Sequence, residues 1–349
     1  MNIIRVGVIG CGYWGPNLIR NFVEIPASTV VAVADLSQER LGHIQRCYPQ
    51  ITATRDYRDL FGLDLDAMVI ATPPATHFCL ASDALLHGLH VLVEKPLALA
   101  SRDAQQLIDL AEQHDRILMV GHTFVYNPAV RALKEIIDSG KIGSIHYVDA
   151  VRAGLGLFQR DLNVLWDLAP HDISILLHIL RSNPISVSAR GIACVQDNIE
   201  DVAYMSLRFA DNILAHLHLS WLDPCKVRRI TVVGSEKMVV YDDVESLEKV
   251  RIYDKGVEAP PYTNSFGDFQ FSYRYGDITI PNIRFTEPLR VECDHFLECI
   301  STDKRPLTDG HNGLKVLKII EAAQESMRNG GSEEEITYEA KPEVERYTA

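Results

Sequence analysis

Six residues near the start constrain this chain more than anything else in it. Gly10-Cys11-Gly12-Tyr13-Trp14-Gly15 separates the β-rich run IIRVGVIG from the helix-like GPNLIRNFVEI. At a strand-to-helix turn, each glycine of this spacing has a mechanical task. The first permits the tight turn, the second lets backbone approach a pyrophosphate, and the third lets the helix pack closely, while the helix N-terminus offers N–H donors. Asp35 ends the next run, STVVAVAD, twenty residues after Gly15. A carboxylate there accepts hydrogen bonds from ribose hydroxyls and repels a 2′-phosphate. Leu36-Ser37-Gln38 follow without a cation, so the expected cofactor is NAD rather than NADP. S-adenosylmethionine enzymes also use a glycine loop and an acidic residue, but the rest of the chain argues for the dinucleotide.

The same alternation continues through DAMVIATP, the helix-like THFCLASDALLHG, HVLVEK, the amphipathic SRDAQQLIDLAEQHD and ILMVGH. Strand and helix in turn predict βαβ units and a parallel sheet covered on both faces. With 349 residues, two domains are expected at roughly 100–200 residues each. The predicted boundary gives a Rossmann dinucleotide-binding domain over 1–121 and a substrate-binding and oligomerisation domain over 122–349. After a helix in NPAVRALKEIIDSGKIG, the pattern turns to longer runs of alternating faces, from IHYVDAVRA to EKVRIYD. Turn signals at Asp211-Asn212 and Gly234-Ser235 join neighbours as hairpins. The fold class is therefore α/β plus α+β, the second domain an open, mainly antiparallel sheet with helices on one side. Residues 255–286 show no period and read as a long loop or interaction segment. EPLRVECDHFLECI resumes as a helix with Leu289, Cys293, Phe296 and Ile300 on one face.

Charge narrows the partners. Lys plus Arg number 34 against 47 Asp plus Glu, a formal net charge of −13, which disfavours nucleic acid and an anionic membrane as partners. A small anionic substrate needs only a few local cations. Seven scattered cysteines without CxxC read as reduced thiols, and no export signal or long apolar run is seen, so a cytoplasmic location is expected.

Chemistry-bearing residues cluster where open α/β sheets place ligands, at strand C-terminal ends. Ala71-Thr72-Pro73-Pro74 and Glu94-Lys95-Pro96 each follow a predicted strand, and the proline after Lys95 restricts how that side chain is aimed. Trp166-Asp167-Leu168-Ala169-Pro170-His171-Asp172 opens an apolar helix in which Asp167 and His171, four apart, share a face. Histidine is the natural proton acceptor near neutral pH, and a nearby carboxylate orients it. His216 and His218 alternate on one strand without a third ligand at a suitable spacing, so no metal site is expected. Lys226, Arg228 and Arg229 read as a solvated sheet edge.

The GCGYWG turn, Asp35, the EKP tripeptide and the DLAPH stretch together resemble the Gfo/Idh/MocA oxidoreductase family over nearly the whole chain. The resemblance implies that Lys95, Asp167 and His171 are catalytic. It implies a cofactor site of Gly10, Gly12, Tyr13, Trp14, Gly15, Asp35, Thr72, Pro73, His77, Glu94 and Lys95. GYWGPNLIRNF, WDLAPHDISIL and EPLRVECDHFLECI further resemble members from bacterial surface-polysaccharide pathways, some of them UDP-N-acetylglucosamine or UDP-N-acetylglucosaminuronate 3-dehydrogenases. On that footing the expected reaction is hydride transfer from C3 of a UDP-N-acetylhexosamine. Arg152 and Arg160, in the segment leading to Asp167 and His171, are the expected diphosphate ligands. Asn163 would read sugar hydroxyls, and Tyr126 with Asn127 would close the site. A free-polyol or inositol dehydrogenase and a non-catalytic NAD-binding sensor are the alternatives. Self-association to a dimer or tetramer through the second sheet, aided by aromatics at 262–275, is also expected.

Overall fold

The computed structural model describes residues 3–258 and 271–338. Its contacts divide the chain into two units, Met1–Arg131 with Ile283–Leu317, and Ala132–Asn282 with Lys318–Ala349. The first unit thus recovers Ile283–Leu317 from what the sequence reads as one uninterrupted second domain.

In the first unit, six parallel strands, β1 (Ile4–Ile9), β2 (Ser28–Ala34), β3 (Thr52–Thr54), β4 (Ala67–Ile70), β5 (His90–Glu94) and β6 (Leu118–Gly121), lie in the order β3-β2-β1-β4-β5-β6. Helices α1 (Gly15–Glu24), α2 (Gln38–Cys47), α3 (His77–Leu86) and α4 (Ser101–Gln113) make the crossovers. Every residue of β4 and β6 is buried, which is why these runs are continuously apolar rather than alternating. Strand order reverses between β1 and β4, and the crevice at that reversal is where such sheets take a ligand.

Helix α1 buries Gly15, Leu18, Ile19 and Phe22, a stripe at helical spacing. Part of its cover comes from α7 (Pro288–Thr302). Leu289, Cys293, Phe296 and Leu297 join Val6, Leu18 and Phe22 in one core, and Phe22 meets Phe296 edge to face with ring centroids 6.4 Å apart. Farther on, the Val120 N–H donates to the Thr308 carbonyl at 2.7 Å. The sequence shows α7 to be amphipathic but gives no local sign of which sheet its apolar face returns to.

The second unit takes in the rest of α5 (Pro128–Asp138) and then β7 (Ile145–Ala153), α6 (Val164–Leu180), β8 (Ser186–Ile192), β9 (Val202–Arg208), β10 (Leu214–Ser220), β11 (Val227–Gly234), β12 (Met238–Asp242), β13 (Val250–Glu258) and β14 (Ser272–Thr279). Helix α8 (Gly310–Arg328) and the short β15 (Glu334–Glu335) close the described chain. The sheet order is β14-β13-β12-β11-β7-β10-β9-β8-β15. Its contacts are antiparallel except that between β10 and β7. Both expected hairpins are present. Asp211 and Asn212 turn β9 into β10 with φ of 58° and 62°, the left-handed pair that matches strand twist, and Gly234 leads β11 into β12.

Two expectations change here. Residues 255–286 are not simply a loop, because β13 and β14 pair as a hairpin; Lys255 to Glu258 and Ser272 to Thr279 lack a visible period because most of their side chains are exposed on both faces. The aromatics expected at 262–270 lie outside the described residues. Arg228 and Arg229 sit on β11, an interior strand between β12 and β7, and Arg228 Nη1 lies 3.5 Å from Asp243 Oδ2, so they do not mark an edge. Among the described residues no helix is long and apolar enough to cross a membrane.

Candidate functional site

The glycine turn follows β1 directly. Gly10 has φ +98°, and a Cβ there would strike the Ala71 backbone; one on Gly15 would strike the Gly10 carbonyl oxygen. A Cβ on Gly12 would meet nothing nearer than Arg40 Nη1 at 3.9 Å. Two glycines are thus required by the protein's own packing, and the third leaves an open hollow bordered by Pro16, Asp35 and Ser37. Helix α1 has Pro16 in its first turn, no side-chain cap and no acidic residue there, so its positive end is not already neutralised. These features fit a dinucleotide pyrophosphate.

Asp35 is braced by the same turn. Its Oδ2 accepts from the Cys11 N–H at 2.7 Å and its Oδ1 from the Ser37 N–H at 2.8 Å, and each carboxylate oxygen retains acceptor capacity for ribose. Arg40 Nη1 stands 3.7 Å from Oδ2. The three residues after Asp35 lack a cation, but the first turn of α2 folds one back. Tyr13 and Trp14 pack edge to face at 5.5 Å, with Tyr13 largely exposed.

After β4, the Thr72 and Thr76 hydroxyls share a hydrogen bond of 2.7 Å, and Thr76 Oγ1 donates to the Pro73 carbonyl at 2.8 Å. His77 is fully buried, with Nδ1 2.7 Å from the Pro96 carbonyl oxygen and Nε2 2.9 Å from that of Thr72. Burial pushes its pKa down. The ring therefore ties the Thr72-Pro73 turn to the Glu94-Lys95-Pro96 turn, a brace where the sequence suggested a cofactor contact. Lys95 follows β5 half-buried, and its bond to Pro96 is cis.

In the second unit α6 carries the other pair. Asn163 caps it, its Oδ1 accepting from the Trp166 N–H at 3.2 Å. Asp167 and His171 lie on successive turns, and Pro170 is inside the helix rather than at its start. The Trp221 indole N–H donates to Asp167 Oδ2 at 3.1 Å. Sequence reasoning missed Trp221; its only advance sign is a tryptophan just past the end of an alternating strand. Next to His171, Asp172 receives both Nε and Nη2 of Arg152, each at 2.8 Å, and both side chains are at most 5% exposed.

Four expected substrate ligands are committed elsewhere. Arg152 spends its guanidinium on Asp172, because a cation buried this deeply needs a fixed counter-charge. Asn163 caps α6 and also donates from Nδ2 to Glu200 Oε2 at 2.7 Å and Gln324 Oε1 at 2.9 Å. Tyr126 is 1% exposed and its hydroxyl lies 3.0 Å from Thr308 Oγ1. Asn127 is buried and accepts from the Ala129 N–H at 2.9 Å as α5 begins. Arg160 is exposed. His216 and His218 share a face with Tyr204, whose ring stacks on His218 at 4.5 Å, and the described residues contain no metal-holding cluster.

Residues 4–122 match the family described as "Oxidoreductase family, NAD-binding Rossmann fold", and residues 130–240 match the "GFO/IDH/MocA C-terminal domain". The chain is 27% identical over 320 residues to the UDP-N-acetylglucosamine 3-dehydrogenase of Acidithiobacillus ferrooxidans, covering 90% of this chain and 94% of that protein. It is 25% identical over 336 residues to the myo-inositol 2-dehydrogenase of Thermotoga maritima, covering 93% and 96%. A solved structure of the Acidithiobacillus ferrooxidans enzyme superposes with a TM-score of 0.79 at 24% identity, over 94% of this chain and 99% of that one.

Proposed function

Since this chain belongs to the Gfo/Idh/MocA oxidoreductase family and is an NAD-dependent sugar oxidoreductase, we propose that its substrate is a UDP-N-acetylhexosamine or its uronate, oxidised at the 3-hydroxyl. Bound NAD supplies the hydride acceptor. The Gly10 to Gly15 turn and α1 hold the pyrophosphate, and Asp35 takes the adenosine ribose. His171 accepts the hydroxyl proton, with Asp167 and its Trp221 hydrogen bond orienting the imidazole side of α6. Lys95 holds the reacting oxygen and stabilises the developing alkoxide.

The observation that carries the substrate is the similarity to a UDP-N-acetylglucosamine 3-dehydrogenase across 90% of this chain and 94% of the relative. Inositol or another polyol is the second reading. The buried Arg152–Asp172 pair favours it, because that pair removes one of the two arginines a diphosphate would want. Arg160 then bears the whole distinction. Replacing it with alanine is expected to raise KM for a UDP-sugar by about 10–100-fold, the worth of a hydrogen bond to a charged group. An unchanged KM would remove Arg160 from the site.

The open face of the second sheet exposes Tyr147 and Tyr204, and its hairpin edge exposes Tyr273 and Tyr275. We assign that surface to a second copy of this chain, giving a dimer or tetramer. Light scattering is expected to return a multiple of the single-chain mass; a single-chain mass at micromolar concentration would refute it.

A further inference from the structure

Behind Lys95 the first unit buries two acidic side chains together. Glu94 ends β5 and pairs in register with Gly121 at the end of β6. Glu292 projects from α7 onto the same glycine. A Cβ placed on Gly121 would lie 3.3 Å from both Glu94 Cδ and Glu292 Oε1, so the absent side chain makes room for two carboxyl groups. Glu94 is 8% exposed and Glu292 is 0% exposed. Neither Glu292 oxygen reaches a hydrogen-bond partner of good geometry among the described residues. The Thr123 side chain only partly eases its charge.

The surrounding groups decide where charge can reside. Lys95 favours ionised Glu94. His122, just past β6, is 1% exposed and is pushed down to about 3 by burial and by Lys95, so it is neutral. Tyr126 and the Cys293 thiol, also facing the cluster, are pushed up, first by burial and also by Glu292, and stay neutral. Both carboxyls are raised, Glu94 by burial, and Glu292 by burial and then by Glu94. Two carboxylates sharing a dry site cannot both ionise, and their protons belong to the pair.

We propose that Glu94 and Glu292 hold one proton between them, kept on Glu292, so that the pair presents Lys95 with a single fixed negative charge. Glu292 is then a positioning residue. It sets the charge of Glu94, which in turn holds the Lys95 ammonium. Only this last consequence rests on the role given to Lys95 above.

The test compares Glu292→Gln and Glu94→Gln in the full chain. An acid kept neutral in the folded state and ionised in the unfolded one takes up a proton on folding, so stability falls as pH rises above its ordinary range of about 4.3. Between roughly pH 6 and pH 8, the wild-type folding constant should lose about tenfold per pH unit relative to Glu292→Gln. Taking the ratio of the two proteins cancels His122 and the other groups that do not couple to Glu292, and Glu94→Gln, measured beside them, reads the one that does. Equal slopes would mean Glu292 is ionised and would overturn the proposal. Should the variant fold poorly, the wild type alone suffices: its infrared spectrum at about pH 8, where exposed carboxyls are ionised, should retain a neutral carboxyl band, and no such band refutes it. Neither arm uses cofactor or sugar, so a wrong substrate leaves both intact. In the pH profile of kcat/KM, Glu94→Gln should move the alkaline limb down by about one pH unit or more, as loss of a buried counter-charge does, while Glu292→Gln leaves it in place. Equal movement in both variants, or none in either, contradicts a single shared charge.

Discussion

Lys95→Ala and His171→Ala are each expected to lower turnover by about 10²–10⁴-fold, the usual contribution of a positioned acid or base. NAD titrations on the same proteins should move by no more than a small factor. The asymmetry follows from placement. In the proposed site the backbone around Gly12, open to within 3.9 Å of Arg40, would hold the pyrophosphate and Asp35, braced by the Cys11 N–H, would hold the ribose, groups that neither substitution alters. Lys95 follows β5 and His171 lies on α6; in the proposed mechanism the first substitution removes the cation assigned to the reacting oxygen and the second removes the assigned proton acceptor. Their effects should combine to less than the product, because both act on one transition state. Near-normal turnover in either variant would remove that residue from the mechanism.

Arg152→Ala should be strongly destabilising, costing about 3–5 kcal/mol in denaturant unfolding. The two hydrogen bonds to Asp172 join β7 to α6 in a site where both side chains are at most 5% exposed. Removing the arginine leaves a carboxylate buried without its partner, one residue from His171. Replacing both members together, Arg152→Met with Asp172→Leu, should recover much of the loss, since a buried pair differs little in net worth from well-packed apolar side chains. A cost below about 1 kcal/mol for Arg152→Ala, the range of an exposed pair, would show that the pair is solvated in solution.

The parts of this architecture legible in the sequence are those governed by local rules. The glycine turn is legible because only glycine tolerates φ of +98° at position 10 and the contact at position 15. Asp211-Asn212 is legible because its left-handed pair announces a hairpin. What escapes is decided through space. Arg152 looks like a phosphate ligand until the fold supplies Asp172 twenty residues on and removes water from both. Asn163 and Asn127 look like sugar readers because the same side-chain amide that reads a hydroxyl also caps a helix. Trp221 reaches Asp167 across 54 residues. Glu292 is one carboxylate among 47 acidic residues until α7 returns to the first sheet and sets it over Gly121.

The most direct test of the account is a single-turnover reaction of the purified protein with NAD and UDP-N-acetylglucosamine, or its uronate, with nicotinamide absorbance and product mass read together. Single-turnover amounts matter, because a cofactor that stays bound through the cycle hides from steady-state assays. The account predicts one equivalent of reduced nicotinamide and a 3-keto nucleotide sugar lighter by two hydrogens. Silence with every UDP-sugar, together with efficient oxidation of inositol or a free sugar, would contradict it.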